Sequence, residues 1–262
     1  ALALYYLTPA KFKNVTLFIV SLVFYCWGEV RYFPVMAAVI LINYLCGIAI
    51  YHFNKSDRLR RLFLVLSVIG SLSMLLYFKY TNFFLSNLNA LFGTQFPLME
   101  SLVLPLGISF YTFQSMSYSI DVYRRKVPAE FNIINFGAYV VMFPQLIAGP
   151  IVRYSDINER LHIYKGRITL DRVNDGIQLF IFGLAKKVLV ADTVGALWTD
   201  IVGKYYGGQL ISGGEGVGLA NASTPLVWLG LLAFALQIYF DFSGYSLMGI
   251  GMGRMLGFDV PD

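Results

Sequence analysis

Apolar residues run along this chain in long unbroken stretches, separated by short polar or basic punctuation. The stretches cover residues 15–27, 33–51, 62–78, 102–120, 176–198 and 225–250. About 20 apolar residues carry a helix across the hydrocarbon core of a bilayer, so these six segments are predicted to be membrane-spanning helices, the first a short one. A seventh stretch, 133–152, is also apolar but is interrupted by Pro144, Gly149 and Pro150. Residues 81–98 mix Phe and Leu with Asn82, Asn87 and Asn89 and read as an amphipathic helix lying in the outer interface. The Gly-rich stretch 205–218 reads as an outer loop. No internal repeat or low-complexity tail is present.

The basic punctuation sets an orientation. If the six spans alternate direction, one side of the membrane receives Lys11 and Lys13, then Lys55, Arg58, Arg60 and Arg61, then Arg124, Arg125 and Lys126. Arg153, Arg160, Lys165, Arg167, Arg172 and Arg254 join them, making fifteen of the 20 Lys and Arg residues. The other side receives Arg31, Lys79 and Lys204. Cytoplasmic loops carry the excess of Lys and Arg, so the first side is cytoplasmic. Basic clusters flank 133–152 at both ends, and a full crossing would carry one of them outside. A re-entrant segment that dips in and returns satisfies both. Its prolines and glycine free backbone groups, which is tolerable at membrane depth only where protein or a water-filled cavity surrounds them.

Composition agrees with this reading. Hydrophobic residues make up 57% of the chain and charged residues 13%, against about 25% charged in soluble domains, and the mean hydropathy is +0.64. The net charge of +5 is explained by membrane orientation rather than by nucleic acid, because the basic residues lie between apolar runs and not on an aromatic-studded patch. The expected architecture is all-α: one polytopic helix bundle over residues 1–262 with a re-entrant segment. The chain opens on Ala1 inside an apolar run and stops at Asp262 just past a helix, so both ends read as truncations.

Few side chains carry chemistry, and Asp241 is the most costly. It lies deep in an apolar run, where a carboxylate costs about 2.5–3.5 kcal/mol on insertion scales and must face protein, water or a partner. Gln237, Asp241 and Tyr245 recur every four residues and share one helix face, either as a polar clamp between helices or as a functional lining. Lys186 and Lys187 interrupt another span. Either the helix ends there at the cytoplasmic surface, or the pair forms a cationic wall that attracts the phosphates of a cofactor. Ser109, Thr112, Ser115 and Ser119 follow Pro105 and Gly107 at helical spacing and suit close helix packing. His52 and His162 fall beside cytoplasmic loops and read as surface residues. Cys26 and Cys46 lie in apolar runs without a CxxC or a histidine pair, so neither a metal site nor a disulfide framework is expected. Gly249, Gly251 and Gly253 form GxGxG inside a span with no preceding strand, which points to helix packing and not to a dinucleotide. Asn14-Val15-Thr16 and Asn221-Ala222-Ser223 match the glycosylation pattern, a match short enough to arise by chance.

Three longer blocks resemble a known family. The run PLGISFYTFQ from Pro105 to Gln114, continuing to DVYR at Asp121 to Arg124, is similar to one of its blocks. FPQLIAGPIVR from Phe143 to Arg153 is similar to a second, and YFDFSGYS from Tyr239, leading to GRMLGF at Gly253 to Phe258, to a third. They occur in the order seen in membrane-bound O-acyltransferases, and the chain resembles the alginate O-acetylation branch of that family. The resemblance implies an acyl thioester donor, acetyl-CoA, bound from the cytoplasm without any permanently held cofactor. It further implies a bacterial inner-membrane location and an acceptor outside, either a polysaccharide or a periplasmic acetyltransferase partner. The family's catalytic histidine would lie beyond Asp262, so no catalytic residue is expected within these residues. Gln145, Gly149, Pro150 and Arg153 are expected to shape the re-entrant element near the donor entrance. Gln237, Asp241, Ser243 and Tyr245 are expected to support a central tunnel, and Lys186 and Lys187 to meet cofactor phosphates. Leu247 stands where many acetylation-branch members carry Asp, and D-alanyl transfer proteins of teichoic acid modification often have an apolar residue there. D-alanyl transfer is therefore one alternative. A transporter or channel, built on broken helices around a buried acid, is another, and a membrane scaffold docking extracytoplasmic enzymes is a third.

Overall fold

The computed structural model describes residues 1–99, 103–146, 149–150, 152–163, 168–206, 209–212 and 222–260. Ten α-helices account for most of them. α1 (Leu2–Leu7) leads through a 3₁₀ turn to α2 (Lys13–Glu29), and a second 3₁₀ turn (Val30–Tyr32) leads to α3 (Phe33–His52). Then come α4 (Asp57–Phe92), α5 (Ile108–Tyr123), α6 (Ile133–Val140), α7 (Tyr154–His162) and α8 (Leu170–Ala185). A π-helical turn (Lys186–Ala191) joins α8 to α9 (Asp192–Val202), and α10 (Thr224–Met255) closes the described chain. Between α9 and α10, β1 (Lys204–Tyr206) and β2 (Gln209–Ser212) pair antiparallel, Tyr205 opposite Leu210, so part of the expected loop is a small hairpin. The Lys165 and Arg167 expected on the cytoplasmic side lie outside the described residues, as do most of 205–218 and Asn221 of the second glycosylation match.

Among the described residues, three helical stretches are long and apolar enough to cross a membrane: Ala10–His52, Asp57–Phe92 and Thr224–Met255. The first is bent at Val30–Tyr32 and so holds two of the predicted spans. The span predicted for 102–120 starts at Ile108, because Gly107 sits in the left-handed region at φ 70 and ends the preceding extended chain. The predicted interfacial helix at 81–98 is corrected. Residues 81–92 are the last turns of α4, and Gly93 stops that helix at φ 64. The chain then folds back along it: Asn89 receives the Phe96 amide at 2.9 Å and Asn82 that of Met99 at 2.9 Å. The match is metric, since seven helical residues and three extended ones both span roughly 10 Å.

Side-chain contacts gather the basic clusters at one end of the bundle. Arg60, at the start of α4, donates to the Tyr123 carbonyl at the end of α5. Tyr154 donates to Glu130 at 2.7 Å, Asn14 to the Leu161 carbonyl at 2.8 Å, and Tyr6 to the Met255 carbonyl at 2.9 Å. Arg160 and Arg172 both hold Asp259, at 2.8 and 2.9 Å. At the opposite end Glu29 accepts from the Leu106 amide at 2.8 Å, and Tyr32 packs edge-on against Phe78. The alternation of spans inferred from the charges is therefore the alternation observed.

The buried core lies among α2, α3, α5 and the segment around α6. There Tyr118, Phe136, Tyr139 and Tyr154 stack with ring centroids 4.5 to 6.2 Å apart. Asn43 clamps three helices: its amide donates to Ser71 at 2.8 Å, and its oxygen accepts from Ser67 at 2.7 Å and Ser119 at 2.9 Å. α8 and α10 pack by a different means, through facing glycines. A methyl group on Gly183 would lie 2.5 Å from the Gly244 carbonyl oxygen, and one on Gly251 2.5 Å from that of Gly176.

Candidate functional site

The interrupted segment after α5 leaves the basic end and returns to it. Glu130, just before α6, and Tyr154, just after the interruption, are hydrogen-bonded to each other, so entry and exit lie side by side, as a re-entrant hairpin requires. α6 is short because the chain turns before Pro144, and the carbonyls this frees are taken up by side chains. Gln114 and Gln145 both donate to the Tyr139 carbonyl, at 2.9 and 3.1 Å. The Tyr139 hydroxyl donates across to the Val152 carbonyl at 2.9 Å. Gly149 folds directly over Gln145, where a side chain would strike the Gln145 backbone. Pro144 and Pro150 rest against Gly249 of α10, where an added methyl would be 2.8 Å from the Pro144 oxygen. Gln145, Gly149 and Pro150 thus meet at the hairpin tip. Arg153 does not: it is exposed at the basic end, where its amide donates to Asp156 at 3.3 Å and starts α7.

From this tip a polar row climbs α10. Gly249, Tyr245, Asp241 and Gln237 are spaced by four, and each step rotates about 40° around the helix and rises about 6 Å. The row therefore begins facing the hairpin and ends facing α9. Lys187 of the π-helical turn is ion-paired with Asp241, and the Lys186 ammonium lies 3.2 Å from the Ser243 hydroxyl. The Lys187 and Asp241 side chains remain 37% and 50% accessible, so this face of α10 is open. Beyond them Gln237 packs on Gly195 and borders a concavity of about 340 Å³ lined by Asp192, Ala196, Thr199 and Asp200. That concavity lies on the half of the bundle away from the basic clusters.

The reading of Lys186 and Lys187 as a helix end at the cytoplasmic surface is corrected, because the helix continues through them. Fifteen residues separate Lys187 from Arg172, about 22 Å of helix, so both lysines lie far along the bundle from the basic end, half-buried beside α10. Asp241 and the lysines, separate features of the sequence, are one site. Gly251 meets α8, Gly249 the hairpin and Gly253 the Val260 side chain, in keeping with a packing role for GxGxG.

Glu130 carries no signal in the sequence. It sits in a polar connection, and only the returning hairpin buries it, to 5% exposure. Tyr154 and His162, at 3.1 Å, converge on one of its oxygens and the Asn132 amide, at 2.8 Å, on the other. Burial, and then the adjacent carboxylate, hold the Tyr154 phenol far above its ordinary pKa, keeping it a neutral donor. Asp259, at the same end, is pushed up by burial, but hydrogen bonds from Arg172 and Arg160 outweigh that and leave it below the usual carboxylate value.

An all-α bundle with its charge gathered at one end and long apolar helices crossing toward the other defines a polytopic membrane protein. No family model matches the chain. It is 42% identical to the Probable alginate O-acetylase of Pseudomonas aeruginosa over 98% of its length and 47% of that protein's. It is 32% identical to the Peptidoglycan O-acetyltransferase of Helicobacter pylori, over 95% of this chain and 49% of the relative. A Teichoic acid D-alanyltransferase of Streptococcus thermophilus is 26% identical over 62% of the chain and 37% of its own length. The chain belongs to the membrane-bound O-acyltransferase family. It spans about half the length of the curated relatives it matches.

Proposed function

We propose that the whole protein moves an acetyl group from acetyl-CoA on the cytoplasmic side of a bacterial inner membrane to a hydroxyl on the far side. The acceptor is a polysaccharide or a periplasmic acetyltransferase partner. One observation carries this reading: relatives named for O-acetyl transfer to two different polymers match nearly the whole chain, whereas the D-alanyltransferase match is weaker and partial. What those two names share is the O-acetyl group and not the acceptor.

The geometry supports a route for that group. The phosphates of a CoA thioester favour the basic end. The acetyl group, still in thioester linkage on the neutral pantetheine arm, is the part that can reach inward until the acceptor hydroxyl takes it and CoA leaves as the thiol. The acetyl group would pass the hairpin tip at Pro144 and Pro150, then Tyr245 and the Lys187–Asp241 pair, and reach the concavity beside Gln237. That concavity falls within the size range of small-molecule sites, and Asp192, Thr199 and Asp200 offer hydrogen-bond partners to a sugar hydroxyl. Asp241 holds Lys187 in register across the passage. The general base that acyl transfer needs is the histidine implied beyond Asp262. Neither His52 nor His162, both at the basic end, stands on the row.

Full-length protein in proteoliposomes, supplied with labelled acetyl-CoA on the basic side and acceptor polymer on the other, tests the reading. Wild type is expected to transfer label to the polymer, and Asp241→Asn to lose most of that transfer while remaining monodisperse. Absence of transfer by wild type to any hydroxylated polymer, with D-alanyl transfer observed in its place, would overturn the acetyl assignment. Unchanged transfer by Asp241→Asn would remove Asp241 from the route.

A further inference from the structure

The geometry points to a phosphate-binding pocket at the basic end, between the α3–α4 connection and the end of α5, built on Arg60 and Arg125. It stands apart from the acyl route and does not rest on the proposed function. The cavity measures about 180 Å³ and is lined by Ile50, Tyr51, Asn54, Arg60, Val122, Arg125 and Val127. That is below the range of whole small-molecule sites and suits a single phosphate group bearing a larger remainder outside.

Two independent features converge on it. Arg60 is only 5% exposed. Its guanidinium is held by the Tyr123 carbonyl and ring and by a long 3.4 Å contact to the exposed Asp57, yet its Nε–H has no acceptor. A buried donor left unmade is costly, and a phosphate oxygen is a natural acceptor for the arginine fork. Arg125 has φ 59, and among the described residues it is the one non-glycine with positive φ. It occupies the left-handed position that ends α5, where glycine is the usual residue. Retaining an arginine there sets a second guanidinium on the pocket at the expense of backbone strain. Lys55, Arg58, Arg61, Arg124 and Lys126 on the flanking connections deepen the local positive potential. The phosphate could belong to an anionic lipid headgroup or to a soluble phosphate carrier such as CoA, and the chemistry at the pocket is the same.

Arg125→Gly separates the ligand role from a structural one, because glycine adopts φ 59 freely and only the guanidinium is lost. Full-length wild type and Arg125→Gly in nanodiscs would be titrated with phosphatidylglycerol, phosphatidylcholine, inorganic phosphate and CoA, with binding read by native mass spectrometry and thermal shift. Without probe the variant is expected to melt no lower than wild type. Its affinity for phosphatidylglycerol and inorganic phosphate should fall roughly five- to tenfold, with phosphatidylcholine unaffected. Arg60→Lys, which keeps the charge and a donor to Tyr123 but loses the fork, should weaken the same probes. A fall for CoA with phosphatidylglycerol unchanged would assign the pocket to a soluble phosphate carrier. Equal affinities for every probe would overturn the site, as would an Arg125→Gly protein that melts well below wild type.

Discussion

The glycine seam between α8 and α10 makes the sharpest demand on the fold. A methyl on Gly183 lies 2.5 Å from the Gly244 oxygen and one on Gly244 lies 2.7 Å from the Gly183 oxygen. Two turns away Gly176 and Gly251 repeat the arrangement at 2.6 and 2.5 Å. In each case the nearest obstacle is backbone, which cannot swing aside. Ordinary contact begins near 3.4 Å, so a side chain at Gly183 must push the helices apart by about 1 Å. Gly183→Val gains only a few tenths of a kcal/mol in helix propensity, while overpacking costs about 1–3 kcal/mol, so a net loss of about 2 kcal/mol is expected. Gly230 supplies the control, because a methyl there meets Ile201 and Trp198 at 3.4 Å, an ordinary distance. Gly230→Ala should therefore be neutral or stabilising by up to about 1 kcal/mol. Thermal unfolding of the full-length protein in detergent, followed by size-exclusion chromatography, reads both. A second readout is acyl transfer: Lys187 stands one turn past Gly183, so parting the helices draws it off Asp241. A Gly183→Val protein that melts at or above wild type would refute the packing argument.

Three further outcomes are expected. With Cys26 and Cys46 replaced by alanine, a cysteine at Asn158 or Lys55 should react with an impermeant maleimide from the basic side alone and one at Thr94 from the other. An Asn158 cysteine labelled from the far side would turn the hairpin into a full crossing. Deleting Leu189 from the π-helical turn should leave a folded protein, whereas inserting one alanine after Leu189 should lower the melting temperature sharply. Equal behaviour of the two variants would show that register there is immaterial. Asp259 has a lowered pKa when folded, so its contribution is present above the unfolded value of about 3.9 and is lost as pH falls through the folded one. Its tether to Arg160 and Arg172 should hold from pH 7 down to about pH 4 and fail below. Asp259→Asn should show a shallower acid decline, and an identical acid profile would remove the tether from the pH response.

The sequence made most of the fold legible because lipid imposes few choices. Runs of apolar residues had to be helices, and the basic residues had to share a side, so the helical runs, their alternation and the returning hairpin could be read. α4 was misjudged past Thr81 because its outer turns alternate Asn with Phe and Leu in the manner of an interfacial helix. What distinguishes them is the fold-back after Gly93, which satisfies Asn82 and Asn89 with backbone and depends on distance. The candidate site was legible as residues and not as pairs. Asp241 and Gln237 stood out by cost and spacing, but α10 is apolar around most of its circumference, so nothing in it indicates which neighbour each face meets. Lys187 reaches Asp241 across 54 positions of sequence only because four glycines let α8 and α10 touch.

The π-helical turn explains how α8 and α9 both face α10 although they form one continuous helical run. Gly183 and Gly195 each abut α10, at Gly244 and Gln237 respectively. In an uninterrupted α-helix, 12 residues advance about 1200°, which leaves Gly195 roughly 120° away from Gly183. A π turn takes in one extra residue, worth about 100°, without advancing the face, so Gly195 returns to within about 20° of Gly183. The extra residue falls among Lys186–Ala191, the same turn that carries the lysine paired with Asp241. Deleting one residue there therefore preserves the α9–α10 contact, and adding one destroys it. An unpaired charge at membrane depth costs about 2.5–3.5 kcal/mol, so the turn that corrects the register has to bring its cation onto a partner. The acid on α10 and the irregular turn on the facing helix are two halves of one constraint.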